Sequence, residues 1–161
     1  MHSRKQARAA ALEIFNAGLA AADPARAVHA HLKLREAGKL LLAGPHEYDL
    51  ERARRIFVIG AGKATAQMAS AVEEILGERI AGGLINVKHG HTAQLKHVRQ
   101  VEAGHPVPDE FGLLGAREMA ELATEARKDD LVLCLISGGA SALLPLPPDP
   151  MTLAGKQRLT N

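Results

Sequence analysis

The residues best placed to do chemistry in this 161-residue chain lie in short loops rich in glycine and histidine. Lys63 follows Gly60-Ala61-Gly62, Ser137 and Ser141 bracket Gly138-Gly139-Ala140, and His89, His91 and His105 sit in Lys88-His89-Gly90-His91 and Gly104-His105-Pro106. A lysine opening a helix is a cation at the positive end of the helix dipole, an unfavourable arrangement unless an anion offsets it. Glycines let the backbone approach such an anion, and the first amides of a helix point at it. Ser137 to Ser141 reads similarly, as a nest of backbone amides with two hydroxyls able to hold a phosphate or carboxylate. Each feature has a plainer alternative. Lys63 could be a solvated first-turn residue, the second loop a tight turn that needs glycine for its dihedrals, and the histidines simple loop structure.

The elements that must position these residues follow from periodicity. Ile56 to Ile59 read as a buried strand running into Gly60, after which Ala64, Met68, Val72 and Ile75 recur at helical spacing. Gly77 then stops the helix as a left-handed cap. Residues 82–87 and 98–101 read as a second and a third strand, and Pro106 and Pro108 exclude ladder pairing beyond them. Asp109 caps a helix whose inner face is expected to carry Phe111, Gly115, Met119, Leu122 and Ala126. The strand 131–136 leads into the second glycine loop, and Thr152 caps a last helix. Ahead of all this, residues 4–22 read as a docked helix with Ala9, Leu12, Phe15, Leu19 and Ala22 inward. Asp23-Pro24 opens a second helix toward Arg35, with Gly38 as its stop.

Strands alternating with helices predict an α/β fold, a mostly parallel, Rossmann-like three-layer sheet with helices on both faces, incomplete at the C-terminus. Ligands of such sheets sit at the carboxyl ends of the strands. The loops 60–64, 88–91, 104–109 and 137–141 all follow strands, so they are expected to share one edge.

Several familiar motifs fail at named positions. The dinucleotide fingerprint requires glycine or alanine where Thr65 stands, and an acidic residue where Asn86, Val87 and Lys88 stand. The phosphate loop of nucleotide triphosphatases requires glycine at Phe57 and Ser or Thr at Ala64. A nucleophile elbow centred on Ser141 requires glycine at Leu143. His89, His91 and His105 have no Cys or carboxylate at ligand spacing, so no metal site is expected. Phe15, Tyr48, Phe57 and Phe111 are the only aromatic residues, too few for a base-stacking platform, and the basic group Arg52/Arg54/Arg55 is short; nucleic acid is not an expected partner. No apolar run approaches the roughly 20 residues that span a membrane. Cys134 is the only cysteine, expected as a small core residue in a reducing, cytoplasmic setting.

Three segments then carry a resemblance. Val58-Ile59-Gly60-Ala61-Gly62-Lys63-Ala64, Glu102-Ala103-Gly104-His105-Pro106-Val107-Pro108-Asp109 and Leu135 to Pro145 resemble signatures of the class II glycerate kinases, the glycerate 2-kinase family whose C-terminal part is called the MOFRL domain. Lys88-x-Gly90-His91 and Leu153-x-x-Lys156-Gln157-x-Leu159-Thr160 fit the same family. The resemblance implies transfer of the ATP γ-phosphoryl group to the 2-hydroxyl of D-glycerate, with Mg²⁺. It implies that Lys63 meets the transferring phosphoryl group or the glycerate carboxylate. Ser137, Gly138, Gly139, Ala140 and Ser141 would hold an anionic group, with His91 and His105 as further contacts. The family's loop carries glycine at the position of Ala140, whose methyl is expected to crowd a close backbone contact. His89 stands where the family has an aromatic residue. Family chains are more than twice as long and have a second α/β domain, so the resemblance implies one domain, 1–161, of a two-domain cleft whose second domain is absent. It leaves an oligomer possible.

Overall fold

The computed structural model describes residues 4–160. Its centre is a parallel sheet of β4 (Arg55–Ala61), β5 (Ile80–Lys88), β6 (Arg99–Ala103) and β7 (Asp130–Ile136), in the order β6-β5-β4-β7. Side chains alternate across each strand, and here both faces find apolar cover. Ile56, Val58, Ile85 and Val87 pack with Ala66, Ala69 and Val72 of α3 (Thr65–Leu76), whose alanines bring that helix close to the sheet. Residues one place out of phase face the other way, where Asn86 meets α4 (Glu110–Glu125). The α/β fold with a parallel sheet stands as its sequence predicts. Among the described residues, no helix is long and apolar enough to cross a membrane.

Caps set the ends of these helices. Gly77 stops α3 as expected but at φ 53° and ψ −130°, not in the left-handed conformation; Asp109 accepts from Gly112 N at 2.9 Å and starts α4. Thr152 accepts from Gly155 N at 3.1 Å ahead of α6 (Leu153–Thr160). The buried face of α4 is Gly112, Leu113, Gly115, Ala116 and Met119, whereas Phe111 is exposed. The expected inner face was therefore wrong at Phe111: the narrow helix–sheet gap admits glycine and alanine and turns the aromatic ring outward.

The N-terminal third departs further from expectation. Helix α1 (Arg4–Ala21) forms but does not dock: none of its residues is buried, and Leu12, Ile14, Phe15 and Leu19 are all more than half exposed. No other described element covers that stripe; one tie to the rest is Arg26 Nη1 donating to Ala20 O at 2.8 Å. Helix α2 (Pro24–His31) stops four residues short of Arg35. From there β1 (Leu32–Arg35), β2 (Leu40–Ala43) and β3 (His46–Asp49) form an antiparallel meander. Leu32-Lys33-Leu34-Arg35 alternates with a period of two, a strand signal that outweighs a continuing helix. Gly44 at φ 58° closes the β2–β3 hairpin.

The two edges of the parallel sheet differ. Segment 93–98 blunts the β6 side, where the Gln100 amide exchanges two hydrogen bonds with the Ala93 backbone at 3.0 and 2.8 Å. Glu73 of α3 accepts from the amides of Lys96, His97 and Val98 and holds that segment down. Among the described residues nothing covers the β7 edge in this way, and Cys134 and Ile136 are exposed on it. Cys134 is thus not a core residue; the apolar run around it lies on an edge strand.

At the amino ends of β4 and β7, Asp130 accepts from Arg55 Nε at 3.1 Å and Nη2 at 2.5 Å, and from Arg127 N at 2.9 Å. The Arg55 bond chiefly, then the backbone bond, pushes the Asp130 carboxyl down to about 2. A depressed folded-state value stabilises above the unfolded value of about 4 and is lost as pH falls through the folded one. Asp130→Asn is expected to lower the melting temperature at pH 7. The gap from the parent chain should close between about pH 4 and pH 2 in thermal melts, as the parent loses its charged pair.

Candidate anion-binding site

The glycine turns of β4 and β7 lie side by side because their strands pair in register, Gly60 opposite Leu135 and Ala61 opposite Ile136. A side chain at Gly60 would overlap the Leu135 carbonyl. One at Gly62, where φ is 142°, would overlap the Ser137 hydroxyl and come within 2.8 Å of the Ser137 carbonyl oxygen. Both glycines therefore serve the close approach of the two turns to each other.

The amides of residues 62–65, which lead into α3, are already taken up. Gly62 N donates to Asn86 O at 3.1 Å, Lys63 N to Gly138 O at 3.0 Å, and Thr65 N to Gly62 O at 3.4 Å. Ala64 N donates to Ser137 Oγ at 3.0 Å, and Thr65 Oγ1 lies 3.2 Å from the same hydroxyl. Ser137 N in turn donates to Ala61 O at 3.1 Å. Ser137 acts as a helix cap supplied from across the sheet rather than as a ligand group, filling the place where an anion was expected. The cradle read into residues 60–64 is in fact a seam.

The free amides lie in the second turn. Among the described residues, the N–H groups of Gly138, Gly139, Ala140 and Ser141 donate to no group of the chain, although the next three amides all close back onto Gly139 or Ala140. Gly139, at φ 92°, turns the chain into the short helix α5 (Ala140–Leu143). A Cβ on Gly139 would stand 2.9 Å from His105 Cδ2 and Nε2 and 3.4 Å from Lys63 Cε. That one position gathers the exposed Lys63 and the half-buried His105 around the free amides. Ala140 packs against Ala61, Ala103 and Leu143. Its methyl is partly buried against that small cluster.

The remaining predicted residues sit further out. His91 is exposed, with Nδ1 3.2 Å from Lys63 O, and contributes to holding the Lys63 backbone. Ser141 is exposed in α5. His89 Nε2 lies 3.7 Å from Asp109 Oδ2, and Glu102 Oε1 accepts from Gly90 N at 2.5 Å. Among the described residues, no three His, Cys, Asp or Glu side chains gather as a metal site. Sequence reasoning missed Thr65 and Asn86, the buried polar residues of the core. The legible signal for Asn86 was a lone amide inside the apolar run Leu84-Ile85-Asn86-Val87.

An exposed lysine, a histidine and a run of free amides at the carboxyl edge of a parallel sheet make this a candidate anion site on an α/β domain. Residues 10–161 match a family described as "Domain of unknown function (DUF4147)", and the chain belongs to that family. A glycerate 2-kinase from Pyrococcus horikoshii is 39% identical over 142 residues, covering 88% of this chain and 31% of the relative. A protein named as a hydroxypyruvate reductase from Agrobacterium vitis is 36% identical over 151 residues, covering 94% of this chain and 31% of the relative. The crystal structure of a glycerate kinase from Thermotoga maritima superimposes with a TM-score of 0.72 at 33% identity, covering 92% of this chain and 32% of that one. The chain thus spans about a third of the length of the relatives it matches.

Proposed function

We propose that this chain forms one wall of a glycerate 2-kinase site, the N-terminal portion of an enzyme that passes the γ-phosphoryl group of ATP to the 2-hydroxyl of D-glycerate. The observation that carries the proposal is the grouping of Lys63, His105 and the free amides of residues 138–141 around Gly139. Phosphoryl transfer needs charge neutralisation and alignment more than covalent chemistry, and these groups supply both. The four amides hold an anionic oxygen of a substrate without reorganising. Lys63, exposed and unpaired by any carboxylate among the described residues, brings its ammonium to the phosphoryl group in flight or to the glycerate carboxylate. His105 lines the same space from the side of the 104–109 loop.

Mg²⁺ does not find its usual carboxylates here. Asp109 and Glu102, on neighbouring loops, hold backbone amides through one oxygen each, and Asp109 also faces His89. No step is therefore assigned to a metal held by these residues; Mg²⁺ more commonly rides on the substrate phosphates. Substrate alignment and exclusion of water belong to a cleft, and the second wall of that cleft would come from a second α/β domain that includes the MOFRL region. A cytoplasmic setting fits a pathway enzyme that uses ATP.

Hydroxypyruvate reduction is the alternative, favoured by the name of one relative. Thr65 argues against it, since its side chain is fully buried on Ser137, where a nicotinamide fold has its third glycine. Asn86 argues likewise, because it is buried under the sheet where an acid would reach a ribose. The deciding experiment is a pair of assays on the protein that carries the whole cleft. ATP consumption with D-glycerate, read with separation of 2-phosphoglycerate from 3-phosphoglycerate, should give the 2-isomer. NADH oxidation with hydroxypyruvate and no ATP turnover would overturn the proposal.

A further inference from the structure

We infer that Asn86 is the positioning residue that holds the three site loops in register with one another. Asn86 lies near the carboxyl end of β5 and is fully buried. Its Nδ2 donates to Gly112 O at 2.9 Å and to Leu143 O at 2.7 Å, and its own backbone carbonyl accepts from Gly62 N at 3.1 Å. These three bonds end on the β4 turn and on the two helices that follow the other site loops. Gly62 belongs to the turn that presents Lys63. Gly112 is in the first turn of α4, directly after the loop that carries His105. Leu143 ends α5, which opens at the free amides of residues 138–141.

The chemistry of the position is specific. An amide NH₂ can donate to two carbonyls at once without burying a charge, whereas a carboxylate there would repel both and an apolar group would leave both unsatisfied in the core. The other end of the amide, Oδ1, is buried with no hydrogen-bond partner, packed where a side chain on Gly115 would overlap it. A buried orphan acceptor is destabilising, and a residue serving packing alone would not retain one. A leucine of similar volume would fill the space without that penalty. What an apolar residue cannot do is fix α4 and α5 relative to the β4 turn.

The test uses the 161-residue chain and rests on the kinase proposal only in its last step. In the unmodified chain, the Asn86 side-chain NH₂ protons should resist exchange with solvent and show through-bond couplings to the Gly112 and Leu143 carbonyl carbons. Free exchange without couplings overturns the proposal even if no variant folds. In Asn86→Asp and Asn86→Leu, hydrogen exchange should quicken in segments 60–65, 104–112 and 137–144, with β4 and β5 still protected. Unchanged loops, or equal loss throughout the sheet, would mean that Asn86 only packs. In the protein found to phosphorylate glycerate, the same variants should lower kcat about tenfold or more while each KM moves less than threefold, since misplacement by an ångström can cost a hundredfold in rate. Loosened loops with an unchanged kcat also overturn the role. Absence of glycerate phosphorylation in the parent protein counts against the kinase proposal alone.

Discussion

Lys63→Ala should lower kcat for glycerate phosphorylation by more than about a hundredfold, with the melting temperature unmoved. The magnitude follows from the kind of contact involved: a preformed cation meeting developing negative charge in a closed cleft supplies roughly 3 kcal/mol or more of transition-state stabilisation. The unchanged stability follows from the structure. The Lys63 side chain is exposed, and the bonds that fix its position, N to Gly138 O and O to the His91 ring, run through the main chain, which alanine retains. Steady-state kinetics beside thermal melts separate the two effects. A variant with a near-normal rate would return Lys63 to the status of a solvated first-turn residue.

Gly62→Ala should do the reverse, lowering stability first and activity as a consequence. The position combines a φ of 142° with a neighbour that leaves no room, the Ser137 hydroxyl that caps α3. Backbone strain costs about 1–3 kcal/mol, and overpacking a further 1–3. A total of roughly 2–6 kcal/mol corresponds to a fall on the order of 10 °C in melting temperature for a domain of this size. Because the methyl separates the two turns, the Ala64–Ser137 bond should break as well. Its loss would show as faster exchange of the Ala64 amide than global destabilisation accounts for. A stable Gly62→Ala chain with a protected Ala64 amide would contradict the account of these turns as a packed seam.

Much of the fold was legible because its signals are local. The strand-to-helix change of period at Gly60 to Ala64, the caps Asp109, Thr152 and Gly77, and the prolines after Gly104 all act within a few residues. The structure agrees with each of them except in the conformation of Gly77, whose ψ of −130° is not that of a left-handed cap. The candidate site is legible as a set of residue types and not in its arrangement. Gly60, Gly62 and Ser137 looked like ligand contacts because their types are those of ligand contacts. Their partners are each other, across a β4–β7 pairing that joins residues more than seventy apart in sequence. No local pattern shows that Ser137 caps a helix on another strand.

The failures elsewhere share a cause. Helix α1 has the spacing of a docked helix, and Cys134 has apolar neighbours on both sides, yet burial depends on what packs against them. The period of a helix reveals which face is apolar; it cannot reveal whether this chain supplies the cover. The meander β1–β3 is hidden from a local reading for a different reason. A helix start at Asp23-Pro24 was extended through Leu32-Lys33-Leu34-Arg35 when that stretch had already changed to a strand period.

The central claim is that the second glycine turn, not the first, is where an anion meets the main chain. Titrating the ¹⁵N-labelled chain with inorganic phosphate tests it directly. The amide signals of Gly138, Gly139, Ala140 and Ser141 should shift together in a saturable way, while those of Gly62, Ala64 and Thr65, already bonded within the chain, should move little. Saturable shifts centred on residues 62–65, with residues 138–141 unmoved, would contradict it.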